Sequence, residues 1–162
     1  MSTPAKVKSK STDCFTITNP IHFLALGFGS GLAPKAPGTF GTLAAIPVLL
    51  ILSLFSLPVF ILATVLVCLA GIYICGKAAE DAGVHDHGAI VWDEIAGFLI
   101  TMLFIPVTWQ TVIVGFVLFR FFDIIKPWPI SFIDKHCHGG VGIMLDDIVA
   151  GFMALACMHL IF

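Results

Sequence analysis

The stretch APGTFGTLAAIPVLLILSLFSLPVFILATVLVCLAGIYICG, residues 36–76, holds no Asp, Glu, Lys or Arg. It is too long for one helix across a bilayer core, which takes about 20 residues. Pro58, in Ser56-Leu57-Pro58, lacks the amide donor of a helix interior, so the stretch divides there. One helix is expected near Thr42–Leu57, with Pro47 close to its start, and a second near Val59–Gly76.

Ile95–Phe119 and Ile148–Phe162 are also free of formal charge. Pro106-Val107-Thr108-Trp109-Gln110 splits the first into helices near Trp92–Ile105 and Gln110–Ile125. The second belongs to a helix near Met144–Ile161. The expected fold is all-α: a compact membrane protein of five short helices, transmembrane or re-entrant, after a glycine-rich segment. Residues 1–19 read as a basic, polar tail, and residues 20–162 as one helical domain.

Composition agrees. Of 162 residues, 59% are hydrophobic and 11% charged, and the mean hydropathy is +1.06. Soluble domains carry about 25% charged residues, so this chain could not cover itself in water. The net charge of -2 says nothing about nucleic acid, but no basic stripe laced with aromatics is present, so no nucleic-acid partner is expected. Cys14, Cys68, Cys75, Cys137 and Cys157 form no CxxC pair and read as reduced structural thiols. Lys6, Lys8 and Lys10 are followed by a polar stretch, unlike a signal peptide.

The turns near 56–58 and 106–110 are uncharged, whereas every Lys and Arg lies in the first 41 residues, in 76–92 or in 120–147. Hairpins return the chain to the side it left. The tail and the charged connectors therefore share one side, and the Lys/Arg excess makes that side cytoplasmic.

Six of the ten acids sit at or inside ends of apolar helices: Asp86, Asp93, Glu94, Asp123, Asp146 and Asp147. Carboxylates there are costly unless paired or bound to a cation. A helix beginning near 86 places Asp86 and Asp93 on one face, with Glu94 about 100° away, free to meet a second ion or act as a base. Asp123 lies between Arg120 and Lys126, and Asp146 and Asp147 open the last helix, where acids suit the helix dipole. Such an oxygen-rich set fits a hard ion, Mg²⁺ or Mn²⁺. His85, His87, His136 and His138 lie near these acids in sequence, but no HExxH pattern occurs. Arg120 and Lys126 match the geometry and charge of a phosphate.

Residues 27–41, GFGSGLAPKAPGTFG, form neither a Walker A loop nor a dinucleotide fingerprint. They lead into the first apolar helix, where backbone amides, Lys35 and Thr39 supply anion donors.

Taken in order, GFGSGLAPKAPGTFGTLAAIP (27–47), GVHDHGAIVWDEIAG (83–97), FRFFDIIKPWPI (119–130) and GGVGIMLDDIVAG (139–151) resemble the phosphatidylglycerophosphatase A family. The resemblance covers all but the first dozen or so residues. It implies an all-α, Mg²⁺-dependent phosphatase of the bacterial inner membrane that converts phosphatidylglycerophosphate to phosphatidylglycerol. On that reading the six acids hold one or two Mg²⁺ ions. Arg120, Lys126, Lys35, Thr39 and His138 bind phosphate, and His85 or His138 protonates the leaving alkoxide. Asp93, Glu94, Asp123, His85 and Lys126 form the catalytic set, with water or an aspartate as nucleophile. The rival from another class is a small ion-translocating or transport protein using the same carboxylates.

Overall fold

The computed structural model describes residues 11–162; the basic residues Lys6, Lys8 and Lys10 lie outside them. Among the described residues there are seven α-helices and no strand. The five expected helices are present as α2 (Pro37–Leu52), α3 (Leu57–Ala82), α4 (Trp92–Thr101), α5 (Trp109–Ile125) and α7 (Gly139–Ile161). Two short helices, α1 (Pro20–Ala25) and α6 (Ile130–His136), flank the bundle.

The boundaries differ from expectation at the end of α3 and the start of α7. α3 runs past Gly76 to Ala82 and ends at Gly83, which is left-handed at φ 67. There Gly83 donates to the carbonyl of Glu80 and Val84 to that of Ala79, the paired closure of a Schellman end. The added turns carry Lys77, whose Nζ lies 2.6 Å from Asp81. α7 starts at Gly139 rather than near Met144. Asp146 and Asp147 therefore sit two turns inside it, not at its N-terminus, and the helix-dipole explanation for them falls away. Asp86 lies in the non-helical loop between α3 and α4, so no helix face aligns it with Asp93. At α5 a capping box fixes the start: Thr111 N–H donates to Thr108 Oγ1 and Thr108 N–H to Thr111 Oγ1.

α7 is the central helix and touches α3, α4, α5 and α6. Two glycine crossings set its distances. Gly140 lies against the Ile72 carbonyl and Gly76 of α3, and Gly151 against the Gly97 carbonyl of α4. Gly97 in turn lies against Phe119 and the Asp147 carbonyl. Small residues let helix backbones approach this closely. Thr101 Oγ1 donates to the Gly97 carbonyl at 2.9 Å and reaches that of Gly151 at 3.5 Å. Around these crossings Phe98, Leu99, Met102, Phe119, Met144 and Met158 fill the core. The Trp92 indole N–H donates to the Val67 carbonyl at 3.0 Å and ties α4 to α3.

Residues 11–19 lie on the bundle. Phe15 sits edge-on to both His22 and His87. Thr16 N–H donates to His22 Nδ1, and His87 Nε2 meets the Ser11 carbonyl. At the opposite end, Phe55 of the α2–α3 turn and Phe60 in the first turn of α3 line one cavity with Phe104 and Pro106 of the α4–α5 turn. The two uncharged turns thus share an end, as the charge pattern requires.

The α3–α7 crossing is testable. Gly140→Ala places a methyl against the Ile72 carbonyl, a backbone atom that cannot rotate away. We expect a loss of about 1–3 kcal/mol, typical of overpacking, read as a lower unfolding midpoint in detergent. An unchanged midpoint would contradict the close approach.

Candidate active site

Asp93 and Glu94 stand in the first turn of α4, and Asp147 faces them from α7. Each is four residues ahead of a crossing glycine or adjacent to such a residue: Asp93 precedes Gly97, and Asp147 precedes Gly151. Residues four apart share a helix face, so the backbone contact one turn below brings the acids together. One carboxylate oxygen from each of Asp93, Glu94 and Asp147 lies within 4.8 Å of the other two. Asp93 and Glu94, expected to diverge around the helix, converge instead.

Asp93 is 9% exposed and Asp147 3%. Asp93 Oδ1, Glu94 Oε2 and Asp147 Oδ2 are buried with no hydrogen-bond partner. A buried carboxylate without a donor or counter-charge costs several kcal/mol. Three buried carboxylates with one oxygen each inside 4.8 Å could hold a hard cation between them.

Two basic groups brace the cluster. Arg120 of α5 pairs with Asp123 one turn on, and its guanidinium lies 3.8 Å from Glu94 Oε1. Arg120 Nε is itself buried without a partner. Lys126 ends α5 in the left-handed conformation, φ 49. Its Nζ meets Asp146 Oδ2 at 2.8 Å and Asp134 Oδ1 at 3.0 Å. Burial works against its charge, but Asp146 and Asp134 outweigh burial and hold its pKa above the ordinary lysine range. Arg120 thus meets Glu94 and Asp123, and Lys126 meets Asp146 and Asp134.

The remaining expected residues are placed unevenly. Asp86 acts electrostatically on Asp93 and Asp146 from its loop. The start of α2 reaches the site through Gly38, whose Cα hydrogen points at Glu94 Oε1 and the Arg120 guanidinium. Thr39 is therefore in the turn beside the acids, while Lys35 is exposed on the preceding loop. His85 and His138 pair edge-on at 4.9 Å, and Gly139 N–H donates to His85 Nε2 at 3.3 Å. They mark the exposed mouth between α3 and α7. His87 is buried and holds the Ala89 amide and the N-terminal segment. His136 stacks on Phe132, away from these contacts.

A family model described as Phosphatidylglycerophosphatase A matches residues 23–162. The chain belongs to that family. Within it, two relatives named Phosphatidylglycerophosphatase A are similar over most of their length. The Escherichia coli (strain K12) protein is 49% identical over 146 residues, 90% of this chain and 85% of its own. The Haemophilus influenzae protein is 49% identical over 142 residues, 86% and 87% of the two chains. A Bacteroides thetaiotaomicron protein, provisionally named a phosphatidylinositol-3-phosphatase, is 39% identical over 137 residues, 79% and 84% of the two chains. No solved structure matches. The family is one of phosphatases, and this chain is a phosphatase.

Sequence reasoning missed Asp134. It lies beyond Pro127 and Pro129, and no helical period links it to Lys126. The contact of Gly38 with Glu94 and Arg120 was equally silent, because a glycine declares no chemistry.

The unpaired acids make a prediction that needs no substrate. In EDTA, Asp147→Asn removes one of three like charges held together, so the variant should unfold at a higher temperature than the parent chain. Divalent cation should raise the parent's midpoint by an amount set by mass action, about 2.7 kcal/mol at one hundred times Kd, and the variant's far less. A variant less stable than the parent in EDTA would contradict the charge account.

Proposed function

We propose that this protein hydrolyses phosphatidylglycerophosphate to phosphatidylglycerol and phosphate, a step of phospholipid biosynthesis, with Mg²⁺ as cofactor. The observation that carries the reading is the triad of buried, unpartnered carboxylate oxygens beside the unpartnered Arg120 Nε. The names of the two 49% identical relatives supply the substrate.

Asp93, Glu94 and Asp147 would hold the cation. Asp123 and Asp146 stand behind them, each tied to a basic group, and Asp86 completes the negative field. A bound Mg²⁺ supplies Lewis-acid stabilisation of charge on the phosphoryl group and an activated water. The chain supplies position. Arg120 offers the Nε donor its carboxylate partners leave over, and Lys126 the ammonium donor that Asp134 and Asp146 leave over. Both suit phosphate oxygens, and phosphoryl transfer is mostly positioning and charge stabilisation. Thr39 and the amides around Gly38 extend the cradle, and Lys35 draws the anion toward it. His85 keeps Nε2 for the Gly139 amide, so its Nδ1–H is the proton source for the leaving alkoxide, with His138 beside it.

The lipid setting rests on the exterior. α3 and α7 are long and apolar enough to cross a membrane. Leu62, Leu66 and Leu69 on α3, and Ile113, Val117 and Ile124 on α5, are each more than half exposed. A soluble core helix would turn such residues inward. Lys35, Lys77, Arg120, Lys126 and Lys135 all lie toward the end of the bundle that holds the acids. By the positive-inside rule that end faces the cytoplasm, in the inner membrane of a bacterium.

The test is phosphate release by the purified protein from phosphatidylglycerophosphate, phosphatidate and phosphatidylinositol-3-phosphate. Phosphatidylglycerophosphate should be preferred, with activity lost in EDTA and restored by Mg²⁺. Asp93→Asn and Asp123→Asn should each lower turnover by about 100-fold or more while still inserting in membranes. Full activity in EDTA, or in either variant, would overturn the reading.

A further inference from the structure

Lys126 is an unusual residue to find at the end of α5. Its backbone is left-handed, a conformation that costs a non-glycine residue about 1 kcal/mol. Such outliers persist where the surroundings over-determine them. Here the surroundings are two carboxylates from two helices. Asp146 of α7 approaches Nζ at 2.8 Å, and Asp134 of α6 at 3.0 Å.

The two carboxylates differ in what else they do. Asp146 belongs to the acid cluster, and the Asp147 amide donates to its Oδ1 at 3.0 Å. Asp134 lies outside that cluster. It rides on a seven-residue helix anchored by Ile130, which is 1% exposed. Ile130 and Asp134 are four apart and share a face, so seating Ile130 in the core aims Asp134 at Lys126. An ammonium carries three donors. Lys126 Nζ gives one donor to Asp146 and one to Asp134, which leaves its third donor without a carboxylate partner.

We propose that Asp134 is a positioning residue: by sharing the Lys126 ammonium with Asp146 it fixes Nζ so that its remaining N–H meets an oxygen of the substrate phosphate. The proposal rests on the phosphatase reading of the site above. Removing Asp134 leaves Lys126 held by Asp146 alone, free to turn its other donors away from the phosphate.

A double-mutant cycle tests this through kcat and KM for phosphate release from a dispersed phosphomonoester lipid, with Mg²⁺. Asp134→Ala should lower kcat/KM by about 10–100-fold, the range for residues that orient functional groups. In a Lys126→Met background the same change should alter kcat/KM by less than about twofold, because the group it positions is gone. Asp134→Asn, closest in shape, serves if the alanine variant does not fold. Asp134→Glu should recover part of the loss. A purely structural Asp134 would give the same loss in both backgrounds, and that result overturns the proposal while leaving the phosphatase reading intact. Absence of phosphate release by the unmodified protein from every lipid tried would overturn both.

Discussion

The site depends on how closely α4 and α7 approach. Gly97 and Gly151 let the two backbones touch, and a side chain on either would strike a carbonyl of the other helix. The helices run in the same direction from the acid-bearing end, so the residues one turn ahead of the contact are held opposite each other. Those residues are Asp93 and Asp147. Repulsion between like charges opposes this arrangement, and the packing of Phe98, Phe119 and Ile100 around the crossing opposes repulsion. The hydrophobic core thus holds a charge arrangement that water would disperse.

Much of this was legible in the sequence, for a physical reason. In so apolar a chain every charged residue is an exception, and the breaks at Pro58 and Pro106 place the exceptions on one side. The convergence of Asp93, Glu94, Asp123, Asp146 and Asp147 follows from that sorting alone. What differs is where α3 ends and α7 begins. The charge-free stretch stops at Gly76 and the last helix is expected from near Met144, yet Gly76 and Gly140 are the surfaces on which α3 and α7 meet. A sequence shows the lost side chain but not whether the backbone turns there or another helix needs the space. The error carried consequences, since moving the start of α7 to Gly139 converts Asp146 and Asp147 from end-of-helix acids into buried ones. Asp134 and Gly38 stayed hidden because their roles exist only through contacts far along the chain.

Arg120 and Lys126 divide the counter-charge between them without cancelling it. Each is committed to a carboxylate on one side and open on the other, Arg120 through Nε and Lys126 through its third donor. A dianionic phosphate and a divalent cation have complementary needs at such a place, one for the open donors and one for the open oxygens. On the proposed reading, neither ligand would be as welcome without the other.

α4 begins with no side-chain cap, at the buried Val91. Its first amides therefore present about half a positive charge at the turn that carries Asp93 and Glu94. The backbone lends these acids a fixed, weak counter-ion of its own. A ten-residue helix is in this sense part of what lets the acids stand together in the core.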